Sequence, residues 1–127
     1  MITEKRNKGN KGEKAVVKFL KKNKFRIVTL NYTEKTGEID IIAEDKNYII
    51  FVEVKTRQEG QMLEPRFSVD YKKRMRILRT SNIFLQKHRT DKQPRFDIAE
   101  VIVNSKGKMS INYLENAFQQ EGKYAAF

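Results

Sequence analysis

Cysteine is absent from this 127-residue chain, which excludes both a disulfide framework and any thiolate metal site. Histidine occurs once, as His88 within Lys87-His88-Arg89, and no partner pattern for a histidine-centred triad surrounds it. It reads as an exposed helix-end residue. No apolar run approaches the ~18 residues that a membrane-spanning helix needs. Residues 1–10 are charged and lack the apolar centre of a secretory signal, so a cytoplasmic location away from membranes is expected by default. No phosphate-cradling glycine loop, repeat, low-complexity tract or internal linker is present. The length suits one hydrophobic core. One domain over 1–127 is expected, with a mobile tail beyond about residue 119.

Acidic charge is also scarce. Sixteen Asp and Glu face 27 Lys and Arg, for a net charge of +11. A surplus that large on a small chain favours a polyanionic partner through phosphate neutralisation and counterion release, although basic charge also serves solubility alone. Residues 5–26 hold ten bases against one acid, Glu13, and residues 71–90 hold seven bases and no acid. Both segments read as helices. In the first, Val16 and Leu20, with Ala15 and Phe19, share one face and leave Lys14, Lys18, Lys21 and Lys22 outside. Asn10 reads as its N-cap, with Glu13 three residues on as in a capping box. In the second, Ser68 or Asp70 caps, and Met75, Ile77, Leu78, Ile83, Phe84 and Leu85 form the apolar stripe. A solvated surface is the commoner role of one basic helix face. Two such faces in one small domain point to a phosphate-binding surface.

Strands are expected at 25–32 and 38–43, separated by Thr36-Gly37, and at 47–57 after a polar turn at Glu44-Asp45-Lys46. Residues 60–65 read as a loop. Beyond the second helix, 96–103 alternates and Asn104-Ser105-Lys106-Gly107 turns the chain into 109–114. The expected order is helix, three strands, helix, two strands.

Acids inside apolar strands need an explanation, because burying an unpaired carboxylate is costly. Asp40 lies in Ile39-Asp40-Ile41-Ile42 and Glu53 in Phe51-Val52-Glu53-Val54, with Lys55 two residues further. Strand side chains alternate, so Glu53 and Lys55 share a face. A two-residue hairpin loop puts Asp40 opposite Phe51, and a four-residue loop puts it opposite Glu53. Either brings Asp40 to the same face, whereas a three-residue loop sends it to the other, barring a bulge. Two neighbouring carboxylates repel, and one takes up a proton unless a cation intervenes. Mg²⁺ (or Mn²⁺) on Asp40 and Glu53 suits that position, being hard, oxygen-liganded and inclined to keep waters that meet a phosphate. Lys55 then positions or activates the attacking water. A buried salt bridge of Lys55 with Asp40 or Glu53 is the competing explanation.

The run Gly37-Glu38-Ile39-Asp40-Ile41-Ile42, followed by Phe51-Val52-Glu53-Val54-Lys55-Thr56-Arg57, resembles the signature of the PD-(D/E)XK, or restriction-endonuclease-like, nuclease superfamily. Ile39 stands where a proline often precedes the aspartate. Almost the whole chain further resembles the YraN-like family of small uncharacterised bacterial proteins. That resemblance rests on Gly9 with Gly12-Glu13 and Ala15, Asn31-Tyr32, Val69 with Lys73, Arg95-Phe96-Asp97 and Asn116-Ala117-Phe118. It implies an α/β fold similar to archaeal Holliday-junction resolvases, with a central mixed five-stranded sheet flanked by helices in the order α-β-β-β-α-β-β. It also implies metal-dependent hydrolysis of DNA rather than RNA, including branched or recombining DNA, with Asp40, Glu53 and Lys55 catalytic. Glu13 matches the glutamate that resolvases bring from their first helix, a role that competes with capping. A homodimer follows by analogy with the twofold pairing of resolvases.

Glu38, two residues before Asp40 in Gly37-Glu38-Ile39-Asp40, reads as structural, and Asp97 is expected to pair with a basic neighbour. Phosphate contacts are expected from Lys11 and Lys14 on the first helix, from Lys72, Lys73 and Arg76 on the second, and from Arg57 on the Lys55 face. For each, a plain solvated cation is the alternative. The alternative for the whole chain is a non-catalytic nucleic-acid-binding module, since such folds can lose catalysis. Retention of Asp40, Glu53 and Lys55 favours the enzyme.

Overall fold

The longest apolar run in the chain becomes a strand that is buried on both faces. The structure, a computed structural model, describes residues 4–60 and 70–119. Its elements are helix α1 (Glu4–Lys22), strands β1 (Arg26–Glu34), β2 (Gly37–Glu44) and β3 (Tyr48–Gln58), helix α2 (Tyr71–Lys87), and strands β4 (Gln93–Val103) and β5 (Met109–Phe118). This is the expected order. The strands form one mixed sheet, β1-β2-β3-β4-β5, antiparallel throughout except for the parallel β3–β4 pair. A parallel pair needs a crossover rather than a tight turn, and α2 lies on that connection. No helix among the described residues is long and apolar enough to cross a membrane.

Burial on both faces explains why β3 reads as unbroken hydrophobicity. Ile49 and Phe51 join Ile42, Phe96 and Ile98 beneath Met75, Ile77, Leu78 and Phe84 of α2. Ile50 and Val52 join Ile41, Ala43, Ala99 and Val101 beneath Val16 and Leu20 of α1. The helical period holds in α1: Val16 and Leu20 are buried while Lys14, Lys18, Lys21 and Lys22 are exposed. In α2 the expected stripe shifts. Ile83 and Leu85 are only half-buried, and Thr80 and Ser81 are buried in their stead. Thr80 Oγ1 bonds Thr36 Oγ1 at 2.6 Å and Ser81 Oγ donates to the Leu78 carbonyl at 2.8 Å, which compensates both hydroxyls. The β1–β2 hairpin tip thus docks on α2 through a polar contact that hydrophobic periodicity does not signal.

Asp70 caps α2, its carboxylate accepting the Lys73 N–H at 2.9 Å. Ser68, the other candidate, lies outside the described residues, as do Val69, residues 61–65 of the expected loop and the tail from 120. The capping reading of α1 is overturned: the helix begins at Glu4, so Asn10 and Glu13 lie within it. A polar first turn has no apolar period to mark it. At the other end Lys24 takes a positive φ of 69° and the Phe25 N–H bonds the Leu20 carbonyl at 2.9 Å, which ends α1 and starts β1.

Helix α1 lies close against the sheet at Gly12, where a Cβ would meet Thr56 Oγ1 at 2.7 Å and Val101 Cγ2 at 3.6 Å. That overlap outweighs the ~1 kcal/mol that alanine gains over glycine inside a helix. Gly12→Ala is therefore expected to destabilise by about 1–2 kcal/mol, seen as a lower urea midpoint at unchanged m-value. An unchanged or raised midpoint would mean that α1 can lift off the sheet freely.

Candidate active site

A single turn decides whether the two strand acids meet. Asp45 Oδ1 accepts the N–H groups of Asn47 and Tyr48 at 2.8 and 2.7 Å, and the Asp45 N–H returns to the Tyr48 carbonyl at 3.0 Å. This local turn closes a four-residue loop that pairs Glu44 with Ile49 and Ile41 with Val52. Continued by one pair, the register sets Asp40 opposite Glu53. The ladder stops just short of that pair, and Asp40 Oδ2 accepts the Val54 N–H at 2.8 Å in place of a backbone bond. Strict alternation also slips here, since Ile39 packs into the α2-side core together with Ile42.

Glu53 is buried, 7% exposed, on the α2 side of β3. Its Oε1 lies 2.6 Å from Lys73 Nζ and 3.8 Å from Lys55 Nζ. Asp40, Glu53 and Lys73, with Gly37, Glu38 and Arg76, line an open cleft of about 260 Å³. A larger cleft of about 630 Å³ at the C-terminal end of α2 contains none of these charged groups. The chemistry, not the volume, selects the smaller one.

Burial, and then the charge of Glu53, push Asp40 up to about 8, with smaller upward contributions from Glu13 and Glu38. Among the described residues Asp40 has no ion-pair partner. Burial and the adjoining Lys73 ammonium lower the pKa of Lys55. For Lys73 burial opposes the charge, but its bond to Glu53 outweighs it and the pKa rises.

Glu13 reaches this neighbourhood from the opposite face of the sheet. Its side chain bonds Asn31, and burial together with the charges of Glu38 and Glu53 raises its pKa. Asn31 has a φ of 53° and sits between the register pairs Leu30–Ile41 and Tyr32–Ile39, that is, beside Asp40 on the neighbouring strand. A non-glycine residue held in the left-handed region at a cluster of acids is a local strain that the surrounding structure sustains.

Lys73 was expected to touch phosphate; the structure binds it directly to Glu53. Arg57, on the Lys55 face, is a candidate phosphate contact or a plain surface arginine. Its Nε instead meets Glu100 Oε2 at 2.6 Å. Glu100 did not stand out in the sequence, yet it is buried, pairs in register with Lys55 and also accepts from Asn112 Nδ2 at 3.3 Å. The signal was available, for Glu100 interrupts the apolar run Ile98-Ala99-Glu100-Val101 just as Asp40 and Glu53 interrupt theirs. Lys11, Lys14, Lys72 and Arg76 are exposed. Asp97 is fully buried and structural, accepting Arg95 Nη2 at 2.9 Å, Tyr113 Oη at 2.6 Å and the Asn116 N–H at 2.8 Å. His88 is exposed at the end of α2 and stacks on Phe84.

Residues 12–101 match the uncharacterised protein family UPF0102. The chain belongs to that family. It is 46% identical to a UPF0102 protein of Alkaliphilus oremlandii over 110 residues, covering 84% of this chain and 93% of the relative. To a UPF0102 protein of Caldicellulosiruptor saccharolyticus it is 40% identical over 116 residues, covering 90% and 98%. To one of Acetivibrio thermocellus it is 42% identical over 120 residues, covering 90% and 92%. UPF0102 membership bears out the YraN-like resemblance and by itself names no activity.

Among the described residues no three acids or histidines converge into a ready-made cation site. The donor set at the cleft is therefore the Asp40–Glu53 pair. Two carboxylates suit a hard ion that keeps most of its waters, and a half-buried aspartate with no direct ion pair among the described residues is a group that such an ion relieves.

Asp40 holds its proton more tightly in the folded chain than in the unfolded one. Its contribution to stability is thus complete below the ordinary aspartate range and is lost as pH rises through about 8. Asp40→Asn removes that loss, and its amide oxygen can still accept the Val54 N–H. In EDTA at pH 9 the variant is expected to melt roughly 3–10 °C above wild type, with no gain at pH 4. Coincident melting curves at pH 9 would show that the carboxylate is not strained.

Proposed function

We propose that this UPF0102 protein is a divalent-metal-dependent endonuclease that hydrolyses phosphodiester bonds in DNA, branched and recombining DNA included. The observation that carries the reading is that Asp40 and Glu53 line one open cleft beside basic α2, where the β2–β3 ladder parts, with Lys55 Nζ 3.8 Å from Glu53. Mg²⁺ or Mn²⁺ on Asp40 and Glu53 would supply Lewis acidity and an acidified water. Lys55 offers a half-buried positive charge to the attacked phosphate and to the incoming water, where low dielectric strengthens its effect. Glu13, with its raised pKa, adds a proton acceptor beside Asp40. The exposed Lys11, Lys14, Lys72 and Arg76 hold and orient the DNA backbone through its phosphates. A twofold homodimer would present two such sites to two strands.

The Lys73–Glu53 ion pair favours a second reading, because it satisfies Glu53 without a metal. On that reading the chain binds nucleic acid and cuts nothing. A panel of linear duplex, four-way junction, flap and single-stranded DNA, incubated with Mg²⁺ or Mn²⁺, separates the two. Cutting of any member that is lost in Asp40→Asn supports the nuclease. Binding of all members with no cutting selects the binding module.

A further inference from the structure

Lys73 stands where a metal ion would have to serve Glu53. Its Nζ is 2.6 Å from Oε1, and Lys55 Nζ approaches the same oxygen at 3.8 Å. One carboxylate is flanked by two ammonium groups, while Asp40, on the same cleft, has no ion-pair partner among the described residues. The Lys73 backbone is fixed, since its N–H is held by the Asp70 cap at 2.9 Å. Its side chain is one-third exposed on a flexible four-carbon stem, so the ammonium can swing without disturbing α2.

We infer that Lys73 is an internal counter-ion which a divalent cation displaces from Glu53, and which then turns to a backbone phosphate, so that metal and DNA bind cooperatively. The inference rests on the metal reading of Asp40 and Glu53. With both carboxylates ionised, the charges of Lys55 and Lys73 balance them. A divalent ion bound to Asp40 and Glu53 neutralises the same two carboxylates and repels an ammonium on the shared oxygen. Lys55 and Lys73 are then left without the carboxylates they faced, and a DNA phosphate is the anion that restores the balance. Without metal, the Lys73 charge is engaged by Glu53 and is poorly placed for phosphate. By linkage, metal then raises DNA affinity by the same factor as DNA raises metal affinity.

Mn²⁺ affinity, measured by electron paramagnetic resonance on the metal-free full chain without DNA, tests this directly. Lys73→Gln is expected to bind Mn²⁺ about tenfold more tightly than wild type, because the competing ammonium is gone. Lys73→Arg, which keeps the charge, is expected to stay within about twofold of wild type. With Ca²⁺ in place of Mn²⁺ to slow hydrolysis, Lys73→Gln is expected to weaken duplex binding about five- to tenfold, against less than twofold in EDTA. A Lys73→Gln affinity for Mn²⁺ equal to or below wild type overturns the inference. If wild type still binds Mn²⁺ and Asp40→Asn does not, the metal reading survives that result. If neither wild type nor Lys73→Gln binds Mn²⁺, both fall.

Discussion

Asp40→Asn is expected to lower metal-dependent nicking by a factor of about 10³ or more while leaving affinity for DNA, measured in EDTA, within about twofold. The asymmetry follows from where the charges lie. Asp40 sits in the cleft with Glu53, where, on the proposed reading, losing one of two carboxylate ligands would remove the charge that holds a hard cation. On the proposed reading, affinity for DNA rests instead on exposed cations such as Lys11, Lys14, Lys72 and Arg76. Removing an acid beside the backbone also lessens repulsion, so binding is expected to tighten slightly if it changes at all. Lys55→Ala should match the loss of nicking while keeping Mn²⁺ binding, because it removes a charge acting on phosphate and water rather than a ligand. The substrates must include junctions, flaps and single strands, since a structure-selective enzyme looks inert on linear duplex. Equal nicking by wild type and Asp40→Asn would mean a contaminating activity and a misplaced site.

Affinity for duplex DNA is expected to fall about 10³–10⁵-fold between 50 and 200 mM salt, as for neutralisation of roughly 6–10 phosphates. The two basic helices lie on opposite faces of the sheet. Each nevertheless bears on Glu53, whose charge helps raise the pKa of Glu13 on α1 and which pairs directly with Lys73 of α2. Lys11 and Lys14 flank Glu13, whereas Lys21 and Lys22 lie at the far end of α1 beside the start of β1. Neutralising Lys14 is therefore expected to reduce the slope of log affinity against log salt by about one, and neutralising Lys22 by less. Fluorescence anisotropy across the salt range measures both. A flat response would remove the phosphate surface, and equal slopes for the two variants would place the DNA elsewhere.

Part of this site was legible because strand parity is local. Glu53 and Lys55 had to share a face, and an acid in an apolar run had to be paired or functional. The same reasoning applied to Glu100 would have exposed its buried contact with Arg57, so that residue was missed although its signal was present. The α1 start was missed for a different reason. Its first turns are polar throughout, and periodicity detects a helix only where it buries a face.

By itself the sequence determined the number and order of elements, the apolar strand at the centre, the surplus of positive charge and the acid, acid, lysine spacing. Each is written in side-chain types within a few residues of one another, where the periods of helix and strand make it readable. Only the tertiary structure decided the rest. The Asp45 turn selected one of several hairpin lengths and thereby set Asp40 opposite Glu53. The crossing of α2 over the sheet put Lys73 on Glu53, and the close seat of α1 at Gly12 let Glu13 reach Asn31 from the other face. These contacts join residues far apart in the chain, so they depend on how whole elements pack rather than on any local pattern.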